Sequence, residues 1–207
     1  MRAKKTKTDI RQEQIAQVAL AVVERHGMRG LNVARVAKAV GVVPSGLYRH
    51  FSSKNDVLAS VLNLIAERME SNVTQVRRNS ASALDRLHDL LTRHVELVLR
   101  NSAIPRVVFS EEMFHGQSAH RRRMYEIIRG YLHHVVQLIR DGQRDGFIRT
   151  EVDPEAASVL FLGLIQPGVV LWVMSGGAFD IAAHAEAGWK LFVEAVESIP
   201  SHTLASR

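Results

Sequence analysis

Apolar residues recur at helical spacing along most of this 207-residue chain, and no stretch alternates convincingly as a strand would. Ile15, Val18, Ala19 and Val22 share one face of a first helix, with Thr8 and Asp9 suited to its start and Gly27 to its stop. A second, short helix carries Val33, Val36, Ala37 and Val40 on its apolar face, with Asn32 as its cap and Gly41 as its breaker. Pro44 suits the first position of a third helix, because its fixed φ and missing N–H cost nothing there; Ser52 and Ser53 soon interrupt that helix. Ser53 to Asp56 has the form of a capping box, after which Val57, Leu58, Val61, Leu62, Ile65 and Met69 predict a long fourth helix.

The same reading continues to the C-terminus. Ser82 to Asp85 is a second capping-box form, opening a helix with Leu84, Leu87, Leu91, Val95 and Val98 on one face and an end near Asn101. Ile104 to His115 is a shorter segment closed by Gly116, and Ser118 opens a helix along Met124, Ile127, Ile128, Tyr131, Val135 and Leu138 that ends around Gly142 to Gly146. Asp153 and Pro154 form a cap and first-turn pair for an apolar helix through Trp172, and Gly176-Gly177 separates it from a last helix, Asp180 to Ser198. The expectation is an all-α protein of about nine helices.

Composition narrows the classes. The balance of 46% hydrophobic and 23% charged residues is that of an ordinary globular protein, and no cysteine is available for disulfides or thiolate metal sites. The basic start "MRAKKTKT" runs into the polar "DIRQEQ" with no apolar segment of the secretory kind, so a cytoplasmic protein is expected. The most apolar window, 159 to 174, is shorter than the roughly 20 residues of a spanning helix and contains Gln166 and Pro167; it reads as a buried helix rather than a membrane segment. Charge is uneven. Residues 1 to 56 hold eleven Lys/Arg against four Asp/Glu, a balance of +7, and the chain total of +6 leaves −1 for the remainder. The basic end is a candidate for meeting a polyanion, although Met1 to Lys7 taken alone reads as a solvated tail.

A helix, a glycine turn and a short helix together make the pattern of a helix-turn-helix, whose second helix can enter a DNA major groove about 12 Å wide. On a helix entered at Pro44, Leu47 and Phe51 are four apart and face the core, which leaves Ser45, Gly46, Tyr48, Arg49 and His50 on the other faces. Ser45 and Gly46 permit close approach to base edges, and Tyr48, His50 and Lys54 can donate to phosphate oxygens. Lys54 also lies in the first turn of the fourth helix, whose N-terminus favours an anion. Asn32 and Arg35, at the start of the second helix, join Pro44 and these residues as DNA-binding candidates. Taken singly, Tyr48 could be a core aromatic and His50 an ordinary surface histidine; the turn, the cap and the charge asymmetry favour the interface.

The run "LNVARVAKAVGVVPSGLYRHFSSKNDVL" resembles the DNA-binding domain of the TetR/AcrR family of bacterial transcriptional regulators, and "GLYRHFSSK" matches that family's most specific motif. The resemblance covers roughly residues 10 to 65. It implies that Tyr48, His50 and Lys54 hold phosphates while residues 44 to 46 and Arg49 face bases. It also implies an N-terminal DNA-binding domain, 1–53, followed by a larger helical ligand-binding and dimerisation domain, 54–207. Val43 stands where many members place Ser or Thr, and Ser45 where many place Gly. Arg49 occupies a site often held by an aromatic, and either reads a guanine edge or touches a phosphate.

The resemblance further implies that the last two helices pack against their symmetry mates in a homodimer over a pseudo-palindromic operator, and the mostly apolar eighth helix agrees. An effector pocket is implied among the fourth to eighth helices. Met69, His94, Glu112, Met113, Tyr125, Tyr131, Phe161, Gln166 and Trp172 are its candidates, and their character points to an apolar or aromatic small molecule. Pro167 sits inside the eighth helix, where it frees a carbonyl and kinks the axis.

No metal or cofactor is expected. His88 with His94, His115 with His120, and the adjacent His133 and His134 all lack the i, i+4 spacing that puts two imidazoles on one helix face. An enzyme is not expected either: there is no cysteine, no G-x-S-x-G and no phosphate-cradling loop. The expected function is a DNA-binding repressor released by a ligand. The alternative is a basic helical protein that binds nucleic acid nonspecifically and without an effector.

Overall fold

A computed structural model describes residues 7–78 and 82–198 of the chain. The described residues form eleven α-helices and one 3₁₀ turn, and the sole β pairing among them is an isolated antiparallel bridge, Ile148 with Glu197. The chain divides into two compact units, residues 1–68 with 98–127, and residues 69–97 with 128–207.

The first unit begins with α1 (Lys7–His26), the 3₁₀ turn Met28–Gly30, α2 (Val33–Val40) and α3 (Pro44–Tyr48). It goes on with the part of α4 (Lys54–Val76) up to Arg68 and then takes in α6 (Ala103–Val108), α7 (Glu111–Phe114) and the start of α8 (Ser118–Arg144). The expected apolar faces are buried: Ile15, Ala19 and Val22 of α1, Val36 and Ala37 of α2, and Leu58 and Leu62 of α4 are all nearly inaccessible. Both capping boxes form. Ser53 Oγ accepts the Asp56 N–H at 3.3 Å while Asp56 Oδ2 accepts the Ser53 N–H at 3.1 Å, and Ser82 and Asp85 repeat the exchange at the head of α5 (Ala83–Leu99).

The second unit contains most of α5, the rest of α4 and α8, α9 (Pro154–Gly163), α10 (Gln166–Met174) and α11 (Ile181–Val196). Asp153 caps α9 by accepting from the amides of Glu155 and Ala156, as its cap-then-proline sequence predicts. Two expected helices are divided. The segment 104–115 becomes α6 and α7 because Ser110 is extended (φ −75, ψ 156), and the eighth predicted helix becomes α9 and α10. At that second break Leu164 and Ile165 bond three residues back, to Phe161 and Leu162, and Pro167 has no N–H with which to rejoin the ladder.

One expectation is corrected outright. The apolar window does not lie in a buried helix: the run Pro154–Met174 has 21 residues and its most apolar 18-residue window has a mean hydropathy of 2.0, yet only 33% of that window is buried. By length and composition alone it could cross a membrane. Val159, Leu160, Leu171 and Met174 lie open at 59, 65, 45 and 79%. The opposite side of the run is packed: Phe161 and Ile165 are fully buried, and Gly168 lets the α10 backbone come close to His184 of α11.

Within the second unit His94 of α5 and Tyr131 of α8 are buried together, His94 Nδ1 lying 3.2 Å from the Tyr131 hydroxyl with the rings edge to face. Burial lowers the His94 pKa to about 4 and raises that of Tyr131, so both are neutral at pH 7. Because the unfolded chain takes up this proton first, the contribution of His94 to stability is complete above its unfolded pKa and is lost as pH falls from about 6.5 to 4. The loss is about 3 kcal/mol. Urea unfolding at pH 7 and pH 4.5 should show a smaller drop for His94→Gln than for the natural chain. Two glycines of α8 give a contrast in sign. A Cβ at Gly142 would press on Ile148 and Ala83 at 2.7 to 3.0 Å, whereas one at exposed Gly130 meets nothing. Gly142→Val should lower stability by about 1–3 kcal/mol, and Gly130→Ala should raise it by about 0.5–1 kcal/mol, both read from the urea midpoint.

Candidate nucleic-acid interface and effector residues

The turn between α2 and α3 is fixed at both ends. Asn32 Oδ1 accepts the Arg35 amide at 2.8 Å at the start of α2, and the Arg35 guanidinium reaches the Gly30 carbonyl, also at 2.8 Å. At the other end Gly41 takes the left-handed conformation (φ 80), its N–H bonding Lys38 O while Val42 N–H bonds Ala37 O. Only glycine adopts that conformation without a Cβ penalty, so the chain reverses there and α3 leaves in a new direction.

The third helix is short, Pro44–Tyr48, and Val43 gives it no side-chain cap, as expected from a residue without an oxygen. It stops three residues before Phe51, but Leu47 and Phe51 are both 3% exposed, so the anchor predicted from their spacing forms. Around it Val43, Pro44, Ser45, Tyr48, Arg49 and His50 face solvent and Gly46 is half-buried. A methyl group at Gly46 would meet only Val43 Cγ2 at 3.8 Å, an ordinary contact. The result is a row of small residues and hydrogen-bond donors on a helix held from beneath by two apolar side chains.

Lys54 is placed differently from the other basic candidates. Its ammonium donates to Met28 O at 3.0 Å and to Glu112 Oε1 at 2.6 Å, and its side chain is one-third exposed. Burial raises the Glu112 pKa, but hydrogen bonds from Lys54 and from its own amide, with the charge of Lys54, more than offset this and leave it below the usual carboxylate range. The pKa of Asp56, two residues on, is also lowered, chiefly by the Ser52 hydroxyl at 2.5 Å. Of the basic N-terminal residues, Arg2, Lys4 and Lys5 lie outside the described residues.

Several residues that support this head carry no local sequence signal. Ser102 Oγ donates to Glu24 Oε1 at 2.5 Å, Arg106 donates to the Glu24 carbonyl at 3.0 Å, and His120 Nε2 lies 3.1 Å from the carbonyl of Asn55 in the first turn of α4. With Lys54 and Glu112 they tie α6, α7 and the start of α8 to the helices of the head, across sequence separations of 58 to 82 residues.

The effector candidates fall into both units. Glu112, Met113 and Tyr125 belong to the first: Glu112 is paired with Lys54, Met113 is buried and Tyr125 is 60% exposed. Met69, His94, Tyr131, Phe161, Gln166 and Trp172 belong to the second, where Phe161 meets Phe192 edge to face at 5.8 Å. Met69, Gln166 and Trp172 are half-buried. Within the first unit a surface groove of about 320 Å³ runs past Gln12, Glu13, Asn63, Glu67 and Arg123, and none of the effector candidates lines it. Among the described residues no three His, Asp or Glu side chains group as a metal site.

A family model described as bacterial regulatory proteins, tetR family, matches residues 15–61, and another described as YsiA-like protein, C-terminal region, matches residues 59–195. The chain is 25% identical over 189 residues to the fatty acid metabolism regulator protein of Bacillus subtilis (strain 168), covering 89% of this chain and 95% of that protein. It is 30% identical over 105 residues to the nucleoid occlusion factor SlmA of Haemophilus influenzae (strain PittGG), which covers 51% of this chain and 48% of that one. Among solved structures, the fatty acid degradation regulator FadR from Bacillus halodurans superposes with a TM-score of 0.76 at 25% identity, over 92% of this chain and 97% of that one. FadR from Bacillus subtilis in complex with stearoyl-CoA superposes with a TM-score of 0.73 at 25% identity, over 87% and 96%. A helix-turn-helix at the N-terminus, an all-helical remainder and matches that together span residues 15–195 agree on one assignment: the chain belongs to the tetR family of bacterial regulatory proteins.

Proposed function

We propose that this transcriptional regulator is a homodimeric repressor that occupies a pseudo-palindromic operator and is released when an amphiphilic small molecule of the acyl-CoA class, an apolar chain on a charged nucleotide head, binds. In this reading residues 1–53 read DNA, and residues 54–207 hold the effector and the dimer contact. The observation that carries it is the outward face of α3 and the turn after it, with Ser45, Gly46, Tyr48, Arg49 and His50 accessible above the buried Leu47 and Phe51. Tyr48 and His50 then donate to phosphates with Lys54 beside them, Ser45 and Gly46 approach base edges, and Arg49 reads a base or a phosphate. Asn32 and Arg35 work indirectly, because their side chains hold the start of α2.

A dimer accounts for the exposed apolar surface of the second unit, where Leu160 of α9, Met174 of α10 and Leu191 of α11 are 65, 79 and 68% open. Isolated exposed leucines are normal, but a run this apolar on adjoining helices is costly in water and is relieved by a second copy. The same cover argues for a soluble cytoplasmic dimer over a membrane-seated helix. The effector class rests on the regulators named for fatty acid metabolism and degradation, and on the FadR structure from Bacillus subtilis in complex with stearoyl-CoA. An interior rich in apolar side chains, with His94 and Tyr131 as a neutral polar pair, suits an acyl chain. A coupling of about 1–3 kcal/mol between effector and DNA would weaken operator binding some 5- to 150-fold.

The first test is selection of bound sequences from a random duplex library at about 150 mM salt. A pseudo-palindrome is expected; a featureless pool whose binding collapses with salt would favour nonspecific binding instead. On the recovered operator, long-chain acyl-CoA should displace the protein where free CoA does not, and failure of every chain length would remove this effector class. Gly46→Ala should leave the urea midpoint unchanged or raised yet weaken operator binding, while Tyr48→Phe should cost about 0.5–1.5 kcal/mol on every sequence tested. Leu160→Glu or Leu191→Glu should yield monomers by sedimentation and lose operator binding; dimers that persist would move the interface elsewhere.

A further inference from the structure

The ammonium of Lys54 already has two acceptors, the Met28 carbonyl at 3.0 Å and the Glu112 carboxylate at 2.6 Å. A lysine ammonium has three N–H donors, so one direction remains for a phosphate, and the side chain is one-third exposed. Glu112 is itself 29% exposed and ionised at neutral pH, so a full negative charge stands beside the lysine that the proposed docking would point at DNA. It comes from α7, fifty-eight residues away in sequence, and belongs to no element of the helix-turn-helix.

We propose that Glu112 is a positioning residue that competes with the DNA backbone for Lys54, holding the affinity of the head for DNA below what its basic residues would otherwise give. A phosphate approaching Lys54 either displaces the carboxylate or shares the ammonium with it at the cost of like-charge repulsion. Either way the carboxylate tempers the phosphate contact, and a change in α7 that drew Glu112 closer or further off would alter DNA affinity through a single ion pair. The Met28 contact remains in both cases and keeps the lysine stem aligned between the 3₁₀ turn and α4.

The inference rests on the docking reading, and the experiment separates the two. Full-length protein is titrated onto a random-sequence duplex, whose phosphates suffice, over a range of salt concentrations. Glu112→Gln, with Glu112→Ala as a second variant should the amide disturb α7, is expected to bind several-fold more tightly at low salt. The slope of log K against log salt should steepen by up to about 0.9 per subunit, the value of one phosphate contact. In a Lys54→Ala background, which should weaken binding by itself, the Glu112 substitutions should have no further effect. If Lys54→Ala weakens binding but both Glu112 variants leave affinity and slope unchanged or reduced, the competition is wrong and the docking pose stands. If Lys54→Ala itself changes neither, the docking pose fails and the competition with it.

Discussion

A helix of five residues has too few internal hydrogen bonds to persist alone, and α3 lacks even a capping side chain. Its position is imposed from outside, by the burial of Leu47 and Phe51 below it and by the left-handed turn at Gly41 before it. Everything assigned to the DNA-facing side follows from that constraint. Because the two apolar side chains fix the helix rotation, Ser45, Tyr48 and Arg49 point away from the core. Their chemistry is free to serve a ligand because they are not needed to hold the fold.

The same economy is absent one turn later. Lys54 reads as a surface donor in sequence, yet it fills two roles at once: it bridges the 3₁₀ turn to α4 and takes the carboxylate of α7. Together with the Glu24 contacts of Ser102 and Arg106 and the His120 contact to Asn55, this joins residues 98–127 and the N-terminal helices in a single compact unit. The helix-turn-helix motif stops near residue 53, whereas the packing continues into α6 and α7. Polar contacts of this kind, between residues more than fifty positions apart, hold the helix-turn-helix to α6, α7 and the start of α8.

What could be read from the sequence divides along the same line. Helical periodicity, both capping boxes, the Gly41 turn and the buried pair Leu47 and Phe51 depend on neighbours within four residues, and each was legible because the physics is local. The breaks at Ser110 and at Leu164–Ile165 were harder. Ser110 gives no strong stop signal, and Pro167 warned of a disturbance that the chain resolves two residues earlier by shifting to three-residue hydrogen bonds. The pairings Lys54 with Glu112 and His94 with Tyr131 left only their polar character in the sequence, because the partner in each case arrives from a distant helix. The effector candidates scattered over two units for the same reason: a polar residue on an apolar face signals an unusual environment without saying whether a ligand or another side chain satisfies it.

The exposed run Pro154–Met174 is the place where local pattern and single-chain packing disagree most. A helix apolar on nearly all sides needs cover on nearly all sides, and among the described residues that cover lies on the Phe161 and Ile165 side. In the proposed dimer a symmetric partner would meet the deficit economically, since each copy would bring the same open face and need the same cover. The break before Pro167 then has a use beyond interrupting the ladder. It ends α9 and starts α10 as separate helices, each with one side facing the chain's own core and the other exposed. Sequence periodicity detects the excess of apolar surface, but only the fold separates the part buried within the chain from the part left exposed.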